Sequence, residues 1–283
     1  MSHRLLAAAC LSVSKKMESG IHMEVRCILN RLFILSLVSI SFACGGNKAR
    51  PNMPTEERFA YAMKLFKDKD YFEARTQFRI VILNAPGNTL VDQAQFYMAE
   101  CHFNMEEFIL AASEYERLLK LYPRSTFLDD AQYKLALCYD ELSPKSDLDQ
   151  KYTFKAIEEF QRFLEDFPTS EFAEDAEKRL FSARSKLAKK EFDTGNLYRK
   201  MTLYESALYS FDDVLNHYYD SQYAEPSLFY KGECSFKLEH WNEAKTALEA
   251  LLEKFPQSSF ASQAKDMLDQ ISRSASTNGK DKH

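Results

Sequence analysis

The chain has 283 residues, 45% hydrophobic and 28% charged, with a formal net charge of −5. An acidic surplus excludes the basic face that nucleic-acid binding needs, and only seven glycines leave few of the tight turns on which phosphate loops and nucleophile elbows are built. The length beyond residue 43 suffices for an extended hydrophobic core.

The first 43 residues differ from the rest. Leu32 to Ala43 is an uncharged run, LFILSLVSISFA, preceded by Arg26 and Arg31 and followed by Cys44-Gly45-Gly46. A basic start, a short apolar run and a small residue before the cut describe a secretory signal, and twelve residues fall short of the about 20 needed to span a bilayer. Residues 1–43 are therefore expected to be a signal peptide. Met23 opens a segment of conventional signal length, whereas Met1 requires a long polar lead, which makes Met23 the expected start. After the cut, 32 basic residues face 40 acidic ones, a net charge of −8. Residues 44–55 then form a tether, the stretch GGNKARPNMP at 45–54 reading as flexible.

A repeating unit follows. It reads Ala74, Phe78, Val81, Ile82, Pro86, then Ala111, Tyr115, Leu118, Leu119, Pro123, then Ala156, Phe160, Phe163, Leu164, Pro168. The fourth copy is Ala207, Phe211, Val214, Leu215 with Tyr219 in the proline place, and the fifth is Ala244, Leu248, Leu251, Leu252, Pro256. Each copy has an earlier half marked by a small residue, Ala62, Ala99, Ala136, Gly195 or Gly232, with an aromatic three residues before it: Phe59, Phe96, Tyr133, Phe192, Phe229. Small residues at a fixed place let two helices approach while bulky ones fill the space beside them. Self-similarity at this period means stacked helix pairs, so the fold is expected to be all-α, a solenoid of five helix pairs.

Punctuation follows the period. Proline ends the second helix of a pair because it cannot donate the hydrogen bond that would continue the turn. Pro-x-Ser-x-Phe recurs at Pro123, Pro168 and Pro256, the serine placed to accept from exposed N–H groups at the next helix start. Successive alanine markers (74, 111, 156, 207, 244) are separated by 37, 45, 51 and 37 residues. The surplus of eight falls inside the third copy, where Ser143-Pro144-Lys145-Ser146-Asp147 predicts a surface loop. The surplus of fourteen, about four helical turns, falls where no residue breaks a helix, so roughly residues 171–200 are predicted to be one helix about 45 Å long. The organisation is repeats 1–3 over 56–168, a long connecting helix within 169–200 that includes the start of repeat 4, repeats 4–5 and a C-terminal helix over 188–272, and a disordered tail at 273–283.

Cys101, Cys138 and Cys234 each lie two residues after a small marker. Identical repeat positions make them buried small hydrophobes, and equivalent positions in stacked repeats are too far apart to bridge, so free thiols are expected. Neither metal-ligand spacing nor a catalytic motif is present, and His102, His217 and His240 are isolated. No catalytic residue, metal or cofactor is therefore expected. Recognition is the better reading. Phe59, Ala62 and Phe66, then Phe96, Ala99 and Phe103, form i, i+3, i+7 stripes. Such a stripe is either core or, where first helices line a concave face, a groove for extended peptide.

Two resemblances sharpen this. Ser41-Phe42-Ala43-Cys44 resembles the lipobox of bacterial lipoproteins, which implies a lipid on Cys44; Ser41 stands where leucine is usual, and an ordinary signal peptide cut near Ala43 is the alternative. The helix pairs resemble tetratricopeptide repeats. With the lipoprotein signal, the third-repeat loop and the long helix, the whole mature chain resembles the BamD family of outer membrane protein assembly factors. The strongest local likeness runs from Phe167 to Leu180 (FPTSEFAEDAEKRL) and through Leu187-Ala188-Lys189-Lys190-Glu191. Tyr198-Arg199-Lys200-Met201-Thr202 departs from it, lacking the glycine that often follows the arginine.

The resemblance implies a lipid-anchored periplasmic subunit of the machine that folds β-barrels into the outer membrane. Residues 56–167 would receive unfolded barrel segments, with Phe59, Phe66, Phe96, Phe103 and Tyr133 as candidate peptide contacts. Residues 188–256 would dock the periplasmic domains of the central barrel subunit, with Tyr198, Arg199 and Tyr204 as candidate contacts. The partners are then that subunit, unfolded barrel proteins and, through the lipid, the bilayer; nucleic acid is not among them. The alternative is another periplasmic repeat adaptor serving Tol, polysaccharide-export or motility machinery, and an enzyme with accessory repeats lacks a second domain to hold the chemistry.

Overall fold

A computed structural model describes the backbone of residues 51–278 and the side chains of 51–273; the signal peptide, the start at Met23 and Cys44 lie outside the described residues. Among the described residues every regular element is an α-helix. Five antiparallel pairs follow in chain order: α1 (Thr55–Lys67) with α2 (Tyr71–Asn84), α3 (Val91–Asn104) with α4 (Phe108–Leu121), α5 (Leu128–Glu141) with α6 (Lys151–Asp166), α7 (Ala173–Lys200) with α8 (Tyr204–His217), and α9 (Ala224–Lys237) with α10 (Trp241–Lys254). The last helix, α11 (Ala261–Asn278), covers the open end of pair five with Ala264 and Ile271. It runs past the expected boundary at 272 because no breaker occurs before Gly279.

The repeated residues build the core as their spacing demands. The marker alanines and the bulky residue four places on, from Ala74 and Phe78 to Ala244 and Leu248, are fully buried in all five pairs. The small residues of the first helices, Ala62, Ala99 and Ala136, are equally inaccessible. At Gly195 and Gly232 the approach is closer still: a Cβ would lie 2.9 Å from the Phe211 ring and 2.6 Å from Leu248 Cδ2.

Each second helix ends alike. Ala85, Tyr122, Phe167 and Phe255, each before a proline, leave the helical region at φ −131 to −125°. Tyr218, which precedes Tyr219 instead, takes the same course at φ −135°. Proline is therefore not required; here Arg184 donates to the carbonyl of His217 at 2.8 Å and pairs with Asp220 at 3.0 Å, holding the helix end in place. The serines act one step earlier than expected. Ser125, Ser170 and Ser258 accept from the N–H two residues on, at Phe127, Phe172 and Phe260, just before the helix. This short polar turn is why α7 starts at Ala173 rather than 171. Ser221 and Asn88 make the same bond in the copies that lack the motif.

The turn inside each pair closes with a residue in the left-handed region: Lys69, Glu106, Thr202 and Glu239, at φ 61–62°. The amide that follows each of them bonds back into the last turn of the helix, as in Leu203 N–H to Tyr198 O at 3.0 Å, the bonding that usually recruits glycine. Threonine is the most strained of the four because it is β-branched. Thr202→Gly should therefore raise stability by about 1 kcal/mol, read as a shift of the urea midpoint; a lower midpoint would show that the threonine contributes more than strain.

Pair three has the eight-residue loop instead, and it is knitted as well as exposed. Buried Gln150 donates to the carbonyls of Lys145 and Leu148 at 2.7 and 3.0 Å, and α7 reaches across through Lys186 to Ser143 Oγ and Lys190 to the Leu148 carbonyl. The long helix thus braces the loop while joining the cores of pairs two and three to that of pair four, around Phe192 and Phe211.

Candidate peptide and partner interface

The five rings proposed to contact peptide all have partners. Phe96 stacks on Phe127 at 4.7 Å and Tyr133 on Phe172 at 4.6 Å, leaving them 7% and 6% exposed. Phe229 repeats the arrangement on Phe260 at 4.5 Å. The phenylalanine of Pro-x-Ser-x-Phe is thus the lid over the aromatic of the preceding pair, and the polar turn aims it there. Phe59 meets the Phe78 ring edge-on at 5.7 Å, Phe66 meets Tyr71 and Tyr97 at 5.5 and 5.3 Å, and Phe103 meets Phe108 at 5.4 Å. These last three are partly buried and keep an open edge.

What the first helices offer beside these edges is paired charge. Lys134 Nζ lies 3.1 Å from Glu100 and 4.7 Å from the centre of the Phe103 ring. Tyr115 Oη donates to Glu100 from below. One pair on, Arg179 holds Asp140 at 2.9 Å and Asp175 at 2.6 Å, and Tyr133 Oη also donates to Asp175. The Tyr133 hydroxyl, with Arg179, keeps the Asp175 carboxyl below the usual range. Burial and then that carboxylate push the Tyr133 phenol up to about 12. Burial and then neighbouring Asp129 raise Asp130. Arg199 joins α7 to α9 through Glu233 at 2.8 Å, with its guanidinium 4.2 Å from the Tyr230 ring centre. Glu100–Lys134, Asp140–Arg179 and Arg199–Glu233 therefore link successive first helices α3, α5, α7 and α9 by one ion pair each. Sequence reading missed this series; its signal is opposite charge about one repeat apart on the same helix row.

The residues proposed to dock a partner separate accordingly. Arg199 is committed to Glu233, Asn196 and Tyr230, while Tyr198 and Tyr204 pack against the core of pair four. Inside the pairs runs a second, buried polar series: Arg58 donates to Gln77 at 2.6 Å, Gln95 to Glu114 at 2.7 Å and Gln132 to Glu159 at 2.7 Å. On the second-helix side three grooves open at equivalent places. The largest, about 590 Å³ between α2 and α4, is lined by Arg75, Arg79, Leu110 and Arg117, among others. The next two, about 440 Å³ each, lie between α8 and α10 and between α4 and α6.

The thiols are free and buried as expected. Burial pushes Cys101 and Cys234 up to about 12, and Cys138 higher, so none is poised as a nucleophile. His102 is tied to Glu107 at 2.6 Å. Among the described residues no group of His, Cys, Asp and Glu is placed to hold a metal ion, and no helix is long and apolar enough to cross a membrane.

The family model described as YfiO, outer membrane lipoprotein, matches residues 51–247. No curated protein matches. Among solved structures the chain is similar to the TPR2AB-domain:pHSP90 complex of yeast Sti1, at 15% identity over 80% of this chain and 86% of that one, with a TM-score of 0.40. It is also similar to a thermophilic TPR protein of Thermus thermophilus, at 14% identity over 76% and 99% of the two chains (TM-score 0.33). A tetratricopeptide repeat protein of Parabacteroides merdae matches at 15% identity over 80% and 75% (TM-score 0.34).

Proposed function

The chain belongs to the YfiO family of outer membrane lipoproteins, and from that premise we propose that it is a non-enzymatic subunit of the β-barrel assembly machinery, anchored by lipid on Cys44 and facing the periplasm. Pairs one to three receive extended segments of unfolded barrel proteins, and pairs four and five dock the central barrel subunit. The family match carries the reading, and the first-helix face supports it. Phe59, Phe66 and Phe103 offer ring edges to alternate side chains of an extended strand, beside a Glu100–Lys134 pair that can exchange partners with it. Phe96 and Tyr133 serve by fixing the spacing between pairs. In the docking half, Arg199, Tyr198 and Tyr204 hold the surface of pair four in shape, Arg199 keeping enough exposure to share its charge with a partner's carboxylate.

Two measurements test this. Cys44→Ala is expected to abolish incorporation of labelled fatty acid into the chain, and undiminished labelling would refute lipid anchoring there. Crosslinked pull-down from the native envelope is expected to recover the large barrel subunit with periplasmic domains. Recovery of Tol, polysaccharide-export or motility components without that subunit would leave the lipoprotein and replace the function.

A further inference from the structure

Because the helices of each pair are antiparallel, the turns within pairs one to three lie along one edge of the stack. That edge is apolar where an edge of turns is ordinarily polar. Phe72, Ile109 and Phe154 each stand two residues before the marker alanine of pairs one, two and three, and each is 57–64% exposed. Equivalent positions in stacked repeats form a line. Leu148 in the third-pair loop extends the line at 55% exposure. Pairs four and five carry Glu205 and Asn242 at the equivalent positions, so the line belongs to the first half of the molecule.

We propose that this edge rests on the bilayer, inserting its apolar side chains between lipid headgroups as a second membrane contact. Three observations favour a bilayer over a protein partner. The four side chains protrude from turns and first helical turns, and none lines the three grooves between second helices; a protein interface places its anchors in pockets, whereas a lipid surface needs only projecting apolar groups. Two of these side chains spring from anchored backbone, Phe72 and Ile109 each following an aromatic residue, Tyr71 or Phe108, that is held edge-on against Phe66 or Phe103. Finally, the chain between Cys44 and Thr55 is ten residues, a reach of about 35 Å, while α1, which separates that junction from the turn edge, has 13 residues and is about 20 Å long. The ten residues are therefore enough for a lipid on Cys44 and this edge to meet the same membrane. The charges there are mixed, Lys69, Arg75, Lys145 and Lys151 among Asp70, Glu106, Asp147 and Asp149, Arg75 lying 4.8 Å over the Phe72 ring, so contact is driven by apolar insertion and is indifferent to lipid charge. A lipid on Cys44 holds only the N-terminal end of the chain; the edge adds a second contact and fixes which side of the solenoid faces the membrane.

The proposal rests on the lipoprotein reading, and its test is separable from it. The Cys44→Ala chain, which carries no lipid, is incubated with phosphatidylcholine vesicles and with vesicles containing phosphatidylglycerol, and the bound fraction is measured by sedimentation. Comparable partition into both, kept at about 0.5 M salt where surface charges are screened, is expected. The triple variant Phe72→Ser, Ile109→Ser, Phe154→Ser, with an unchanged circular dichroism spectrum and melting temperature, should bind at least about tenfold less. No binding by the parent, equal binding by the triple variant, or binding to anionic vesicles alone would overturn the proposal. So would loss of an envelope protein from pull-downs of the triple variant while vesicle binding persists. Acyl labelling of Cys44 in cells reports on the anchor alone: label without vesicle binding removes the edge and keeps the anchor, and vesicle binding without label does the reverse.

Discussion

Truncating Phe96 to alanine is expected to destabilise the fold by about 3–5 kcal/mol, the cost of deleting a buried aromatic side chain, seen as a lower urea midpoint by circular dichroism. The ring is 7% exposed, stacks on Phe127 at 4.7 Å and lies tilted against Tyr115 at 6.0 Å. Three different elements therefore lose contact at once: α3, the turn entering α5, and α4. Phe127→Ala should cost less alone, because its ring is only partly buried. In the double variant the two losses should sum to less than their separate values, since they share one contact. If Phe96→Ala left the midpoint unchanged and weakened only peptide binding, the ring would belong to a groove and the packing account would be wrong.

The second large effect changes sign with its background. Gly232→Ala would place a Cβ 2.6 Å from Leu248 Cδ2 and 2.7 Å from Cγ, and Leu248 is fully buried in the core of pair five with no room to swing. Overpacking of this kind costs about 1–3 kcal/mol, against a gain of about 1 from replacing glycine inside a helix, so the variant should be less stable. With Leu248→Ala already in place the obstruction is gone, and adding Gly232→Ala should then stabilise by up to about 1 kcal/mol. Destabilisation of equal size in both backgrounds, by thermal or urea melts, would show that the close approach at Gly232 is not what selects glycine.

The repeat markers were legible because each performs a local task that spacing reveals. Alanine and the bulky residue four places on must lie on one helix face, and proline beyond a helix's first turn must end it, as Pro226 in the first turn of α9 does not. The same local logic misplaced the serines, whose bond to the second following amide belongs to a turn before the helix. It also overstated proline, since Tyr218 bends as its counterparts do with Arg184 holding the end. What could not be read was pairing between repeats. Glu100–Lys134 and Arg199–Glu233 join residues 34 apart, and on each helix alone they look like solvated charge. The aromatic stripes stayed ambiguous for a related reason: Phe96 becomes interior only because Phe127, one repeat on, closes over it.

The long helix α7 acts as an angular gauge. Each residue of an α-helix turns the chain by about 100°, so removing one residue between Lys190 and Phe192 would swing pairs four and five about a third of a revolution relative to pairs one to three, with almost no change in distance. Adding seven residues there would separate the halves by about 10 Å yet alter their bearing by only about 20°. The tie from Lys190 to the third-pair loop fixes the near side of that dial and Phe192 in the fourth core fixes the far side. The molecule can therefore be lengthened in sevens, but in no smaller step, while its two halves keep pointing where they point now.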